Sequence, residues 1–271
     1  MHPPRWRDLV AAFLFGTLPA TPAVARLGFQ TAAHPQAPDS RERSRREREL
    51  HEQMRQRRTD HFTVSFEGPE EDGLAGRALE SLERAYWRIG GTLSLLPYTP
   101  IGVVLYSSEQ FRDITRAPTW AVAAFDGIVR VPMRGALENP SELDRVLAHE
   151  YTHALIHLLA PRNVPAWLNE GLATALEADD LNWARERLRH AGRPVSLGTL
   201  RASFRRMPDE EATLAYASSA LAVQRLLDEA GGVALANLFR DLGAGVDFDK
   251  AFAHRIQRSF AMFQAELNDL Q

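Results

Sequence analysis

Two periods of apolar residues run along the chain. In "HFTVSFE", Phe62, Val64 and Phe66 alternate with polar neighbours, which predicts a half-buried strand closed by Gly68 and Pro69. Leu74, Ala78, Leu82, Ala85, Tyr86 and Ile89 then recur at helical intervals, and Gly90-Gly91 marks the expected helix end. "IGVVLY" (101–106) predicts a second, more buried strand, and "SSEQFRDIT" a short helix capped by Ser107 or Ser108. "GIVRVP" (127–132) predicts a third strand, placed by Pro132 at or near a sheet edge. From Ser141 onward nearly every segment has helical spacing: 141–159, 165–178, about 181–190, 210–230, 233–241, and 247–270 with a break. No internal repeat is present. The pattern predicts an α+β fold, with a small N-terminal sheet and its helices followed by a mainly helical part.

The first sixty residues are built differently. "MHPPRWR" is basic, Leu9–Leu18 is an apolar run, and "PATPAVA" ends in Ala23-Val24-Ala25, the small-x-small pattern of a signal-peptidase site. The run is too short to span a bilayer about 30 Å thick, and Pro19 and Pro22 close it. A signal peptide over 1–25 is therefore expected, with export to the periplasm or beyond. Residues 26–60 read as a charged linker or arm. Glu42 with Arg46 and Arg45 with Glu49 place opposite charges four apart, as on a solvated helix. The domain then occupies 61–271, divided into an α/β part (61–160) and a helical part (161–271).

Composition narrows the chemistry. The 271 residues are 45% hydrophobic, enough for a real core, and the formal net charge of -3 gives no reason to expect a nucleic acid partner. No later segment is apolar enough to cross a membrane. The chain has no cysteine, which excludes disulfides, Cys-ligated metals, thiol nucleophiles and a lipoprotein anchor.

The remaining chemistry concentrates in "LAHEYTHAL" (147–155). Ser141 can cap this helix, with Asp144 three residues on, and Pro161 stops it; Leu143, Val146, Leu147, Ala154, Leu155 and Leu158 supply its buried surface. At about 100° per residue, His149 and His153 point only about 40° apart and lie about 6 Å apart along the axis. Two imidazoles so placed can converge on one cation. Glu150 lies about a quarter turn away, beside such a cation, where it can accept a proton from water. His157 is about 80° from His149 and falls outside the set. A third ligand is expected in "NVPAWLNEGLATALEA", where Glu170 sits near an apolar helix face of Trp167, Leu168, Leu172, Ala175 and Leu176. An unpartnered carboxylate is costly there, and a cation removes the cost.

"VLAHEYTHALIHLL…VPAWLNEGLATALE" resembles the gluzincin zinc metallopeptidases, the thermolysin-like superfamily, and in particular a small bacterial peptidase-MA-like branch. The likeness covers 141–178 and extends in outline over 61–255. It implies a zincin-like fold with the zinc helix between the two parts. Zn2+ would be held by His149, His153 and Glu170, with Glu150 as general base in hydrolysis of a peptide or protein substrate. It also implies Tyr216 as donor to the oxyanion, and an edge strand, here "GIVRVP", that pairs with extended substrate. Two departures stand out. Sixteen residues separate His153 from Glu170, so the inter-helix loop should be short. Ala173 stands where many relatives carry an acidic residue that orients a zinc histidine. The second reading is a non-catalytic zinc-containing binding or scaffold protein of the cell envelope.

Overall fold

The computed structural model describes residues 54–68, 72–106, 128–132, 140–177, 180–192, 195–204 and 207–269. The expected signal peptide, the arm up to residue 53 and the short helix after Tyr106 lie outside the described residues. The elements below belong to one unit that begins at Arg55.

Among the described residues, four strands form one sheet in the order β1-β2-β3-β4: β1 (Arg55–Arg58), β2 (Phe62–Phe66), β3 (Ile101–Tyr106) and β4 (Ile128–Pro132). β1 is antiparallel to β2, while β2, β3 and β4 run parallel. Val64, Val103 and Val129 stand opposite one another across the three parallel strands, and all three are buried. A parallel β2–β3 pair needs a crossover, which helix α1 (Asp72–Leu93) supplies. The apolar stripe expected on α1 from Leu74 to Ile89 is buried throughout. The helix runs past Gly90-Gly91, because Leu93, 1% exposed, packs its last turn into the core.

β1 corrects the reading of 55–58 as the end of the charged arm. Arg55, Gln56, Arg57 and Arg58 are all exposed, so no apolar alternation marks the strand. Its pairing is carried by the backbone, and Arg57 adds a bond to Asp72 at 2.8 Å. Arginines along an outer strand also discourage pairing with other chains.

Beyond the sheet come α2 (Pro140–Leu159), α3 (Ala166–Glu177), α4 (Asn182–Ala191), α5 (Asp209–Gly243), α6 (Phe248–Ile256) and α7 (Phe260–Asp269). The two helices expected at 210–230 and 233–241 form one element, α5, which leaves helical geometry at Gly231 (φ 81°, ψ 161°). The break expected within 247–270 falls at Gln257, whose φ of 61° turns the chain between α6 and α7. The fold is mixed α+β, with the sheet first and the helices dominant. No helix among the described residues is long and apolar enough to cross a membrane.

The helical part is closed by aromatic packing. Trp167, fully buried, stacks on Phe260 (ring centroids 5.7 Å apart) and meets Phe248 edge-on (6.2 Å). On the outside, Arg255 grips both oxygens of Asp241, at 2.7 and 2.8 Å, and holds that carboxyl below its usual range. A lowered carboxyl pKa stabilises the fold above the unfolded value near 4, and the contribution is lost as pH falls through the folded value. Asp241→Asn should therefore lower the melting temperature at neutral pH, with the difference from wild type shrinking as the pH of the melt drops into the acid range.

Candidate metal centre

The middle of α2, which carries the two histidines, is buried on nearly every side. Leu143, Val146, Leu147, Ala154 and Leu155 are buried as expected, together with Tyr151 and Thr152, which are fully buried. Leu158 corrects the expected stripe, since it is 52% exposed. The helix starts at Pro140, a favoured first-turn residue, one position before the expected Ser141 cap. Six residues connect α2 to α3, the short loop anticipated from the motif spacing. The start of α3 is anchored from outside, with the backbone N–H groups of Ala166 and Trp167 donating to the carbonyls of Arg201 and Leu200.

The two helices run antiparallel, as their cross-links show. Arg145 reaches Glu177, His149 reaches Glu177 and Glu170, and His153 reaches Glu170 and Asn169. At the centre, Nε2 of His149 and Nε2 of His153 are 3.0 Å apart. Oε2 of Glu170 lies 3.7 Å from the first and 3.6 Å from the second. His149, His153 and Glu170 thus form a buried to half-buried group able to hold a metal ion. A point about 2 Å from all three atoms exists at the middle of this triangle, the length of a metal bond to nitrogen or carboxylate.

The tautomers agree with that use. Nδ1 of His149 is 2.8 Å from Oε2 of Glu177, and Nδ1 of His153 is 3.1 Å from Oδ1 of Asn169. Both partners are acceptors, so each Nδ1 carries the proton and each Nε2 offers its lone pair to the centre. Three acceptor atoms facing one another need a positive charge between them, a proton or a metal ion. The electrostatics say the same. Burial works to lower the His149 pKa, but bonds to Glu170 and Glu177 overcome it and hold the ring at about 10. His153 is raised against the same burial by the Glu170 carboxylate. Burial would raise Glu170 and Glu177, yet the facing histidines, with Arg145 for Glu177, hold both carboxyls low.

Glu177 is the functional residue that the sequence reading missed. Ala173 lacks the acidic group expected there, and Glu177, one helical turn further along α3, supplies it to His149. Its position seven residues after Glu170 puts it on the same face of α3, which is the signal that could have revealed it. Asn169, noted only as the neighbour of Glu170, is the partner of His153.

Glu150 is half-buried on α2, and its charge acts on both histidines. His157 stands outside the three-residue group, as its angle implied. Tyr216 is also outside it; on α5, its ring meets Phe204 edge-on at 5.2 Å. Three residues on, Ser219 touches α3 where a Cβ on Gly171 would lie 2.6 Å from its carbonyl oxygen and 2.8 Å from Val223. Glycine is required at this crossing, and it directly follows Glu170. Gly171→Ala should destabilise the protein by about 1–3 kcal/mol through overpacking. It should also weaken metal binding by displacing Glu170, as thermal melts with and without added metal would show. β4 lies at an edge of the described sheet and packs beside α2.

No protein-family model matches the chain, and no curated protein matches it in sequence.

Proposed function

We propose that this protein is a zinc-dependent peptidase, exported from the cytoplasm, in which His149, His153 and Glu170 hold the metal. The observation that carries the reading is the convergence of two imidazole Nε2 atoms and one carboxylate oxygen, with both Nδ1 protons already committed elsewhere. Four donors at zinc's bond length of about 2.05 Å stand about 3.3 Å apart in a tetrahedron. Separations of 3.0, 3.6 and 3.7 Å between the three donor atoms are close to that spacing, so these residues would suit zinc. A nitrogen-rich set with one carboxylate also suits zinc better than the all-oxygen sites of calcium or magnesium.

When bound, zinc supplies Lewis acidity, polarising a substrate carbonyl and lowering the pKa of water to near 7. Glu150 takes the proton of the attacking water and returns it to the leaving amine. Glu177 and Asn169 keep both rings turned with Nε2 inward through the cycle. Tyr216 is the residue proposed to donate to the oxyanion, and β4 the edge along which an extended peptide pairs. The zincin-like arrangement is favoured by a zinc helix that follows a small sheet and precedes the helical part.

The test is to load the purified protein with zinc and offer it a broad peptide library. Cleavage that a chelator abolishes and added zinc restores supports the peptidase. Stoichiometric zinc without any chelator-sensitive cleavage favours a non-catalytic zinc protein instead.

A further inference from the structure

The ladder between α2 and α3 continues beyond the residues that face the metal position. Glu177 has two oxygens, and only Oε2 faces His149. Its Oε1 accepts from Nη2 of Arg145 at 2.9 Å, and Nη1 of Arg145 donates to Oε1 of Glu142 at 3.3 Å. Arg145 is therefore gripped by a carboxylate on each side, one from its own helix and one from α3. The side chain of Glu177 is 5% exposed and that of Arg145 22%, so solvent screens this pair little.

The charges make Arg145 more than a strut. A metal-bound His149 is a neutral ring that offers Glu177 only an N–H. The buried carboxylate then needs a full positive charge from elsewhere, and Arg145 is the cation bonded to it. Geometry adds to this. With one oxygen fixed by Arg145, the Glu177 carboxylate cannot rotate away from Nδ1 of His149. The same bond ties α2 to α3 two turns from Glu170, and so sets the register at which Glu170 meets the histidines.

We propose that Arg145 is a positioning residue of the metal centre, acting through Glu177 to hold His149 in its ligating tautomer and orientation. This rests on the reading of His149, His153 and Glu170 as a metal site. It adds a dependence of that site on a residue that touches neither the metal nor substrate.

The test uses the full-length protein and the metal ions themselves. Zinc affinity is measured by competition with a chromogenic chelator, and the ligand field by the visible absorption of the Co2+-substituted protein. Arg145→Met should lower zinc affinity about 10–100-fold and shift or broaden the Co2+ bands. Arg145→Lys, which keeps the charge but not the two-armed grip, should recover only part of the affinity. Arg84→Met, which removes an exposed ion pair to Asp144 on the same helix α2, should leave affinity and spectrum as in wild type. If Arg145→Met lowers affinity simply by loosening the fold, Glu177→Gln in the same chain will add its own full loss. If the mechanism is as proposed, Glu177→Gln should add little further loss, because both changes cut one link. Wild-type affinity and spectrum in a folded Arg145→Met protein would overturn the proposal, as would fully additive losses in the pair. A wild type that binds no metal would instead overturn the metal site itself.

Discussion

Replacing Glu150 by glutamine is expected to lower peptide cleavage about 10²–10⁴-fold, the usual range for loss of a positioned acid–base group. The change is nearly isosteric and leaves the helix untouched, so folding and metal content should match wild type. The reason lies in position. Glu150 follows His149 directly, so its side chain projects about 100° around α2 from the ring and flanks the triangle without being one of its corners. The carboxylate is half-buried, where it keeps a path to water while its charge still acts on both rings. Glutamine keeps the size and one acceptor, but it cannot carry a proton from water to a leaving amine. The loss should appear chiefly in kcat, because that transfer belongs to the transition state and binding of the ground state does not need it. Equal cleavage by the two proteins would remove Glu150 from the mechanism.

Removing the metal is the second large effect. A ligand that binds only the folded chain stabilises it by RT ln(1 + [L]/Kd), about 4 kcal/mol at a thousandfold excess over Kd. For a chain of this size that corresponds to a melting temperature about 8–16 °C higher with zinc than after chelation. The triangle lies between α2 and α3, and α3 packs on α5 through Gly171, so the gain should be felt through the helical core. Glu170 and Glu177 meet His149 and His153 there in buried to half-buried positions, where solvent screens them only in part. Chelation leaves Glu177 its bond to Arg145, but Glu170 is then balanced only by protons on the histidines. Melts of His149→Ala should show no response to zinc. A wild type that melts at the same temperature with zinc and with chelator would contradict a specific site.

Much of this was legible from residue order alone. Apolar period placed β2, β3 and β4 and the helical segments that form α1 to α7, though it divided α5 in two and took α6 and α7 as one segment with a break. Angle along one helix paired His149 with His153 and left His157 aside, and the cost of burying a lone carboxylate singled out Glu170. What escaped was set by pairings that no periodicity encodes. β1 is four exposed residues held by backbone bonds to β2. Glu177 and Arg145 look like ordinary surface charges until the antiparallel crossing of α2 and α3 brings them to His149. The Leu158 side chain has helical spacing but is 52% exposed, and spacing says nothing of what lies opposite.

Joint binding of one metal ion by His149, His153 and Glu170 is the proposal on which the predictions for this centre rest. It is tested most directly by reconstituting the purified wild type and Glu170→Gln with zinc, removing the excess, and measuring zinc per chain by mass spectrometry. One zinc per wild-type chain, with a large loss in Glu170→Gln while the fold is retained, is the expected result. A wild type that retains no stoichiometric zinc, or a Glu170→Gln protein that retains it as fully, would contradict it.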